Sequence, residues 1–171
     1  MPSSRPPSDA TLERAARRLG RALVERGWQL ATAESCTGGL VGHVITQVPR
    51  SSDHYLGGIV SYSNAVKTEL LGVPADLIER VGAVSAEVAE AMADGTLDRF
   101  GVARVAVAVT GIAGPDGGSE DKPIGLTYVA AALRDGAAAV ERHAWPHDRD
   151  GNKRASALAA LELATRLVRD A

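Results

Sequence analysis

Apolar positions along the chain recur with two periods, and the switches between them mark out helices and strands. Residues 11–26 put Leu12, Ala15, Ala16, Leu19, Ala22 and Leu23 on one face and arginines on the other, with Gly27 as a stop, so the spacing predicts a surface helix. Residues 28–33 form a β-favouring apolar run that breaks into Glu34, Ser35, Cys36, Thr37, Gly38 and Gly39. Leu40, Val41, Val44, Ile45 and Val48 then follow at helical spacing up to Pro49, and proline disfavours helix in the residue before it. After a polar loop over 51–54, GGIVSYS (57–63) reads as a strand, and Asn64 as the cap of a short helix over 65–71 that carries Lys67 in its first turn. A short helix over 76–80 and a longer one over 86–100, capped by Ser85, come next. The run RVAVAVT (104–110) is nearly unbroken apolar sequence, as expected of a central strand covered on both faces. Strands over 126–133 and 138–145 flank Asp135-Gly136, a hairpin signal, and alanines and leucines at helical spacing over 150–168 predict a final helix.

This alternation implies an α/β protein: a three-layer α/β/α sandwich on a mixed, mostly parallel sheet of about five strands, with a C-terminal antiparallel hairpin. The strand order is not encoded locally. The 171 residues suit a single domain over 11–171, preceded by a disordered arm over 1–10. Aromatics at 4% mean that the core is built from Ala, Val, Leu and Ile, which favours close packing of helix on sheet. A formal net charge of −2 offers no basic field for nucleic acid and no patch for a membrane surface. One cysteine excludes an internal disulfide and a cysteine zinc cluster. With no signal-peptide pattern and no apolar run of about 20 residues, the expected location is the cytoplasm.

Three predicted strand ends carry polar residues to what the architecture makes one crevice: Ser35 and Thr37 after the first, Tyr62 and Lys67 after the second, Thr110 and a glycine-rich loop after the third. In an open α/β sheet such a crevice lies outside the carboxyl ends of the strands, where helix N-termini attract negative charge. Ser35 or Thr37 serves there either as a helix cap or as a reactive hydroxyl, and local sequence does not separate the two. Gly38 and Gly39 let a ligand approach the backbone. A serine nucleophile needs a base. None of His43, His54, His143 and His147 lies in a triad context, whereas a desolvated Lys67 can be neutral and take the Ser35 proton, with Tyr62 relaying or holding it. The other reading of Lys67 is a solvated helix residue.

The spacing of Tyr62 and Lys67 does not fit the short-chain dehydrogenase pair, and no GxGxxG fingerprint is present. The loop TGIAGPDGG lacks the Gly-Lys-Ser/Thr of a P-loop, yet amides around Gly111 and Gly114 can form a nest for an anion or a carbonyl oxygen. Arg149, Lys153 and Arg154 open the last helix, where cations oppose the macrodipole, and Arg149 is the candidate for a bidentate phosphate contact. Pro146 breaks the spacing between His143 and His147, so no metal site is expected.

Five ordered blocks, AESCTGG, GGIVSYSNAVKTELLGV, GAVSAEVAEAMADG, AVAVTGIAGPDGGSEDKPIG and DRDGNKR, resemble the CinA C-terminal domain family, whose active members are nicotinamide mononucleotide deamidases. The resemblance implies an anticodon-binding-domain-like fold, hydrolysis of the nicotinamide carboxamide to nicotinate mononucleotide and ammonia without a cofactor or metal, and a homodimer. By position, it implies that Ser35 and Lys67 are the catalytic pair and that Ser52, Tyr62, Thr110 and Arg149 bind substrate or support that pair. Ser35 is preferred over Ser52 as nucleophile. His147 stands where the family usually has glycine, and the molybdopterin-binding-like domain of longer members is not part of this sequence. The alternative expectation is an inactive member that binds a nucleotide or a partner without turnover.

Overall fold

The computed structural model describes residues 5–171. Five strands form one sheet in the order β2-β1-β3-β4-β5, with β1 Leu30–Glu34, β2 Tyr55–Val60, β3 Val105–Gly111, β4 Leu126–Leu133 and β5 Ala138–Ala144. The β1 strand pairs parallel with both β2 and β3, while the β3/β4 and β4/β5 pairs are antiparallel. Four strands therefore run one way and only β4 runs against them, so the sheet is mixed as its pattern implies. The hairpin turn at Asp135-Gly136 joins β4 to β5, and Gly136 takes the left-handed φ of 97° that such a turn asks of its glycine.

Helices α1 Asp9–Arg26, α2 Leu40–Thr46 and α6 Arg149–Asp170 cover one face of the sheet, and α3 Asn64–Leu71, α4 Ala75–Val81 and α5 Ala86–Arg99 cover the other. The period-two alternation of β3 divides the core between them: Val105, Val107 and Val109 face the first layer, and Ala106 and Ala108 face the second. The two layers follow from connectivity. The β1-α2-β2 connection and the β2 to β3 connection depart to opposite sides of β1, so right-handed crossovers put their helices on opposite faces. That reversal beside β1 is the topological switch point, where a crevice opens between the ends of β1 and β3.

Three local expectations are corrected. Of the arm over 1–10, residues 1–4 lie outside the described residues, but Asp9 and Ala10 already belong to α1, capped by Ser8. Arg154 Nε donates to the Pro7 carbonyl at 2.6 Å, and the Arg154 guanidinium pairs with Asp9, so tertiary contacts hold this stretch. The second strand runs over Tyr55–Val60 and not 57–63, because Tyr55 pairs with Leu30 and its hydroxyl bonds Thr32 Oγ1 at 2.8 Å. Ser63, not Asn64, caps α3, its hydroxyl accepting the Val66 amide at 3.2 Å. Among the described residues no helix is long and apolar enough to cross a membrane.

Candidate active site

Glu34 and Ser35 are adjacent at the end of β1 and so project to opposite faces of the sheet. Ser35 stays in register with β3, its amide donating to the Val109 carbonyl at 2.9 Å, and its side chain meets α3. Gly72 and Val73 close α3 at one end and the Ser63 cap closes the other, which places Lys67 one turn in, pointing back beneath the sheet edge. Lys67 is 1% exposed, and its Nζ lies 3.1 Å from Ser35 Oγ, 2.7 Å from the Ser61 carbonyl and 3.2 Å from the Tyr62 carbonyl. No carboxylate pairs with it among the described residues. Burial pushes its pKa below the ordinary 10.5, since the charged form is poorly solvated there.

The three contacts are those a neutral amine can use. Two N–H groups serve the carbonyls, and the lone pair faces the Ser35 hydroxyl. The protonated amine instead donates all three bonds, including one to Ser35 Oγ. Moving between these states needs no rotation of the side chain. Neighbouring Cys36 is excluded as a nucleophile, because burial holds its thiol up at about 12.

The cap reading of Ser35 and Thr37 does not survive the geometry. Neither hydroxyl accepts an α2 amide. Glu34 does, with Oε2 taking Gly39 and Val41 and Oε1 taking Gly42, at 2.8 to 3.0 Å. Nothing in the local pattern sets Glu34 apart from the polar loop that it opens. Because Glu34 occupies the α2 N-terminus, that helix end is closed to a ligand anion, contrary to the expectation for this crevice.

Ser35, Cys36, Tyr62, Lys67, Thr110, Gly111, Gly114 and Arg149 all line one cleft of about 250 Å³, together with Ala83, Val84 and Asp116. Thr110 Oγ1 donates to the Ala83 carbonyl at 2.8 Å, and Lys122 Nζ reaches the Val81 and Val84 carbonyls at 2.6 and 2.9 Å, so the glycine loop and the α4–α5 turn are strapped together as one wall. Arg149 Nη1 donates to the Gly114 carbonyl at 2.6 Å and Nη2 to the Tyr62 hydroxyl at 3.4 Å. The Tyr62 phenol thus stands at the mouth, 60% exposed and beside Arg149, and it is the Tyr62 carbonyl that meets Lys67. A proton relay through the Tyr62 hydroxyl has no support in this arrangement. His147 leaves Arg149 in place, its amide donating to Asn152 Oδ1 at 3.1 Å while Asn152 Nδ2 holds the Ala113 carbonyl.

Thr37 is buried in the turn beneath the cleft without a partner for its hydroxyl, and Gly38 and Gly39 make that turn with φ of 62° and 99°. Ser52 is not brought to the cleft. It is exposed on the 3-10 turn Ser51–Asp53 before β2, at the opposite end of the strands, because a parallel strand separates its two ends by its full length. A larger cavity of about 470 Å³ lies near that end, between α1 and the turn, but Arg17 and Arg50 are there paired with Glu13 and Asp53 and no nucleophile faces a base.

Residues 12–168 match the sequence description of the CinA C-terminal domain. The chain belongs to that family. Among curated relatives, CinA-like proteins of Desulfotalea psychrophila and Geobacter sulfurreducens are 56% identical over 118 residues and 48% identical over 154 residues, covering 69% and 90% of this chain. This CinA C-terminal domain spans only 28% and 36% of those two proteins. Solved structures of the competence/damage inducible protein CihA from Agrobacterium tumefaciens and of a CinA superfamily protein from Klebsiella pneumoniae superpose with TM-scores of 0.88 and 0.89. They are 38% and 30% identical, the matches covering 96% and 94% of this chain and 99% of each structure.

Proposed function

We infer that this CinA domain hydrolyses the carboxamide of nicotinamide mononucleotide, with Ser35 as nucleophile and Lys67 as general base and acid. The observation that carries the reading is the buried Lys67 Nζ at 3.1 Å from Ser35 Oγ, with two backbone carbonyls on its other sides. Such a constellation has little use in a protein that only binds. It buries an amine at the cost of its solvation, and the return is a base able to work near neutral pH.

Neutral Lys67 takes the Ser35 proton as Oγ attacks the carboxamide carbon, and the carbonyl oxygen becomes an oxyanion. Amides of the turn that follows Ser35 are the donors nearest in sequence to the nucleophile and are the candidates for holding that oxyanion. Protonated Lys67 then gives its proton to the amide nitrogen, the C–N bond breaks, and ammonia leaves an ester on Ser35. Water attacks this ester with Lys67 again as base; the ester C–O bond breaks, nicotinate mononucleotide leaves, and Ser35 regains its proton. No step calls for a metal. Arg149, at the mouth beside Tyr62, supplies positive charge for the 5′-phosphate.

The test is ammonia release from nicotinamide mononucleotide in the presence of a chelator. The protein should release ammonia, and Ser35→Ala and Lys67→Met should each lose at least about a hundredfold in kcat. Binding of the nucleotide without any release would leave this chain a binding domain. Equal turnover of the nucleoside and the nucleotide would remove the phosphate from the reading.

A further inference from the structure

Glu34 is a buried carboxylate, 2% exposed, that meets no cation among the described residues and takes no part in the proton transfers above. All its bonding goes to three backbone amides of one turn. We propose that Glu34 is a positioning residue for the reaction, holding the Cys36–Gly39 turn rigid so that Ser35 Oγ and the turn that follows it keep a fixed relation to Lys67. The inference rests on the amidohydrolase reading and adds to it a residue that neither reacts nor touches substrate.

The argument starts from the position of Glu34 in the strand. Its side chain leaves β1 on the α2 face while Ser35 leaves on the α3 face, so the two side chains pin the strand end from opposite sides. Between them and α2 lie only Cys36, Thr37, Gly38 and Gly39, with both glycines in the left-handed region. A segment so rich in glycine has many conformations open to it and needs a restraint to hold one. Its backbone restraints are Gly38 N to the Ser35 carbonyl at 3.0 Å, Leu40 N to the Thr37 carbonyl at 3.3 Å and His43 N to the Gly39 carbonyl at 2.9 Å. Glu34 adds three charge-assisted bonds at 2.8 to 3.0 Å, shared between two oxygens, which fix where α2 begins and so where the turn must end.

The same bonds have an electrostatic consequence. A helix N-terminus beside a reacting centre would draw the substrate's phosphate toward the nucleophile and misplace the carboxamide. With the amides of α2 already satisfied by an internal carboxylate, the anionic end of the substrate has no competing site beside Ser35, and Arg149 at the mouth is left to receive it.

The experiment compares Glu34→Gln and Glu34→Asp with the parent protein. Glutamine keeps the shape, but it turns an N–H₂ toward amides that need acceptors, while aspartate keeps the charge with a shorter reach. The expected result for Glu34→Gln is a loss of ten- to a hundredfold in kcat with KM for nicotinamide mononucleotide within about twofold, the size typical of supporting-shell changes. Labelling of Ser35 by a serine-directed phosphonate fluoride should slow in parallel, while affinity for the product nicotinate mononucleotide holds. Glu34→Asp should fall between the two.

A folded Glu34→Gln protein with parental kcat and labelling rate would overturn the proposal, and so would a loss confined to KM. Should Glu34→Gln not fold, Glu34→Asp decides by the same two measurements. If the parent protein labels at Ser35 but releases no ammonia, the amidohydrolase reading has failed, and the labelling series still tests the role of Glu34.

Discussion

Lys67 shows how one side chain's surroundings set its chemistry. An ammonium group has three donors, and here it meets two carbonyls and a hydroxyl but no carboxylate, so desolvation outweighs the opposing influence of Cys36 and lowers its pKa. The sign of the consequence can be worked out. Between the depressed folded pKa and the unfolded value of 10.5, the unfolded chain binds more protons at Lys67 than the folded one, so this residue makes stability rise with pH across that window. Activity should follow the same group: kcat/KM is expected to climb with pH on a limb set by an apparent pKa below 10.5, and urea unfolding of parent and Lys67→Met should differ in pH slope over the same interval. A pH-independent rate throughout that range would remove Lys67 as the base. Cys36, one residue from Ser35, shows the opposite outcome. Its thiol is pushed up to about 12 and stays protonated, so adjacency in sequence does not make it a rival.

At the scale of elements, the contact between Ser35 and Lys67 depends on how α3 lies against α5. Gly95 of α5 is buried under the C-terminal end of α3, and a Cβ there would run into the Leu71 carbonyl oxygen. The contact is with backbone, which cannot swing away as a side-chain tip can, so Gly95→Ala must lift α3 and with it Lys67. The expected cost is at least about 1 to 3 kcal/mol in stability, read as a lower midpoint in urea, with a fall in kcat beyond what the residual folded fraction explains. The glycine loop is held in a comparable way, by Arg149 at Gly114, Asn152 at Ala113 and Lys122 at the α4–α5 turn. Of these only Arg149 was singled out in the sequence as a group of this site. Lys122 looked like one more charge in an acidic loop, because the carbonyls it serves are about 40 residues away. Arg154, read with Arg149 as part of one cationic cluster, turns instead to Pro7 and Asp9, since it lies on another side of the helix.

Over the whole molecule, the cleft with Ser35 and Lys67 is smaller than the cavity at the other end of the strands. The larger sits near the amino ends of the strands between α1 and the 3-10 turn, the smaller at the carboxyl ends beside the switch point. Hydrogen exchange with and without nicotinamide mononucleotide should separate them. Protection is expected in residues 35–39, 61–67 and 110–117, with residues 48–54 unchanged. Protection confined to 48–54 would move the ligand to the other end and, with it, any role for Ser52.

What the chain determined locally is considerable: the alternation of Val and Ala through β3, the Asp-Gly hairpin, the Ser85 cap and the polar turn after β1 are all short-range signals, each set by a few neighbouring residues. Those signals were enough to propose Ser35 and Lys67 as partners. They were not enough to show that the two meet, that the Tyr62 phenol turns to Arg149, or that Ser52 lies at the far end of the sheet. Each of these depends on strand order, on the parallel register of β1 with β3 or on the seating of α3 upon α5. Such long-range pairings arise only when distant segments are buried together, so no window of sequence contains them.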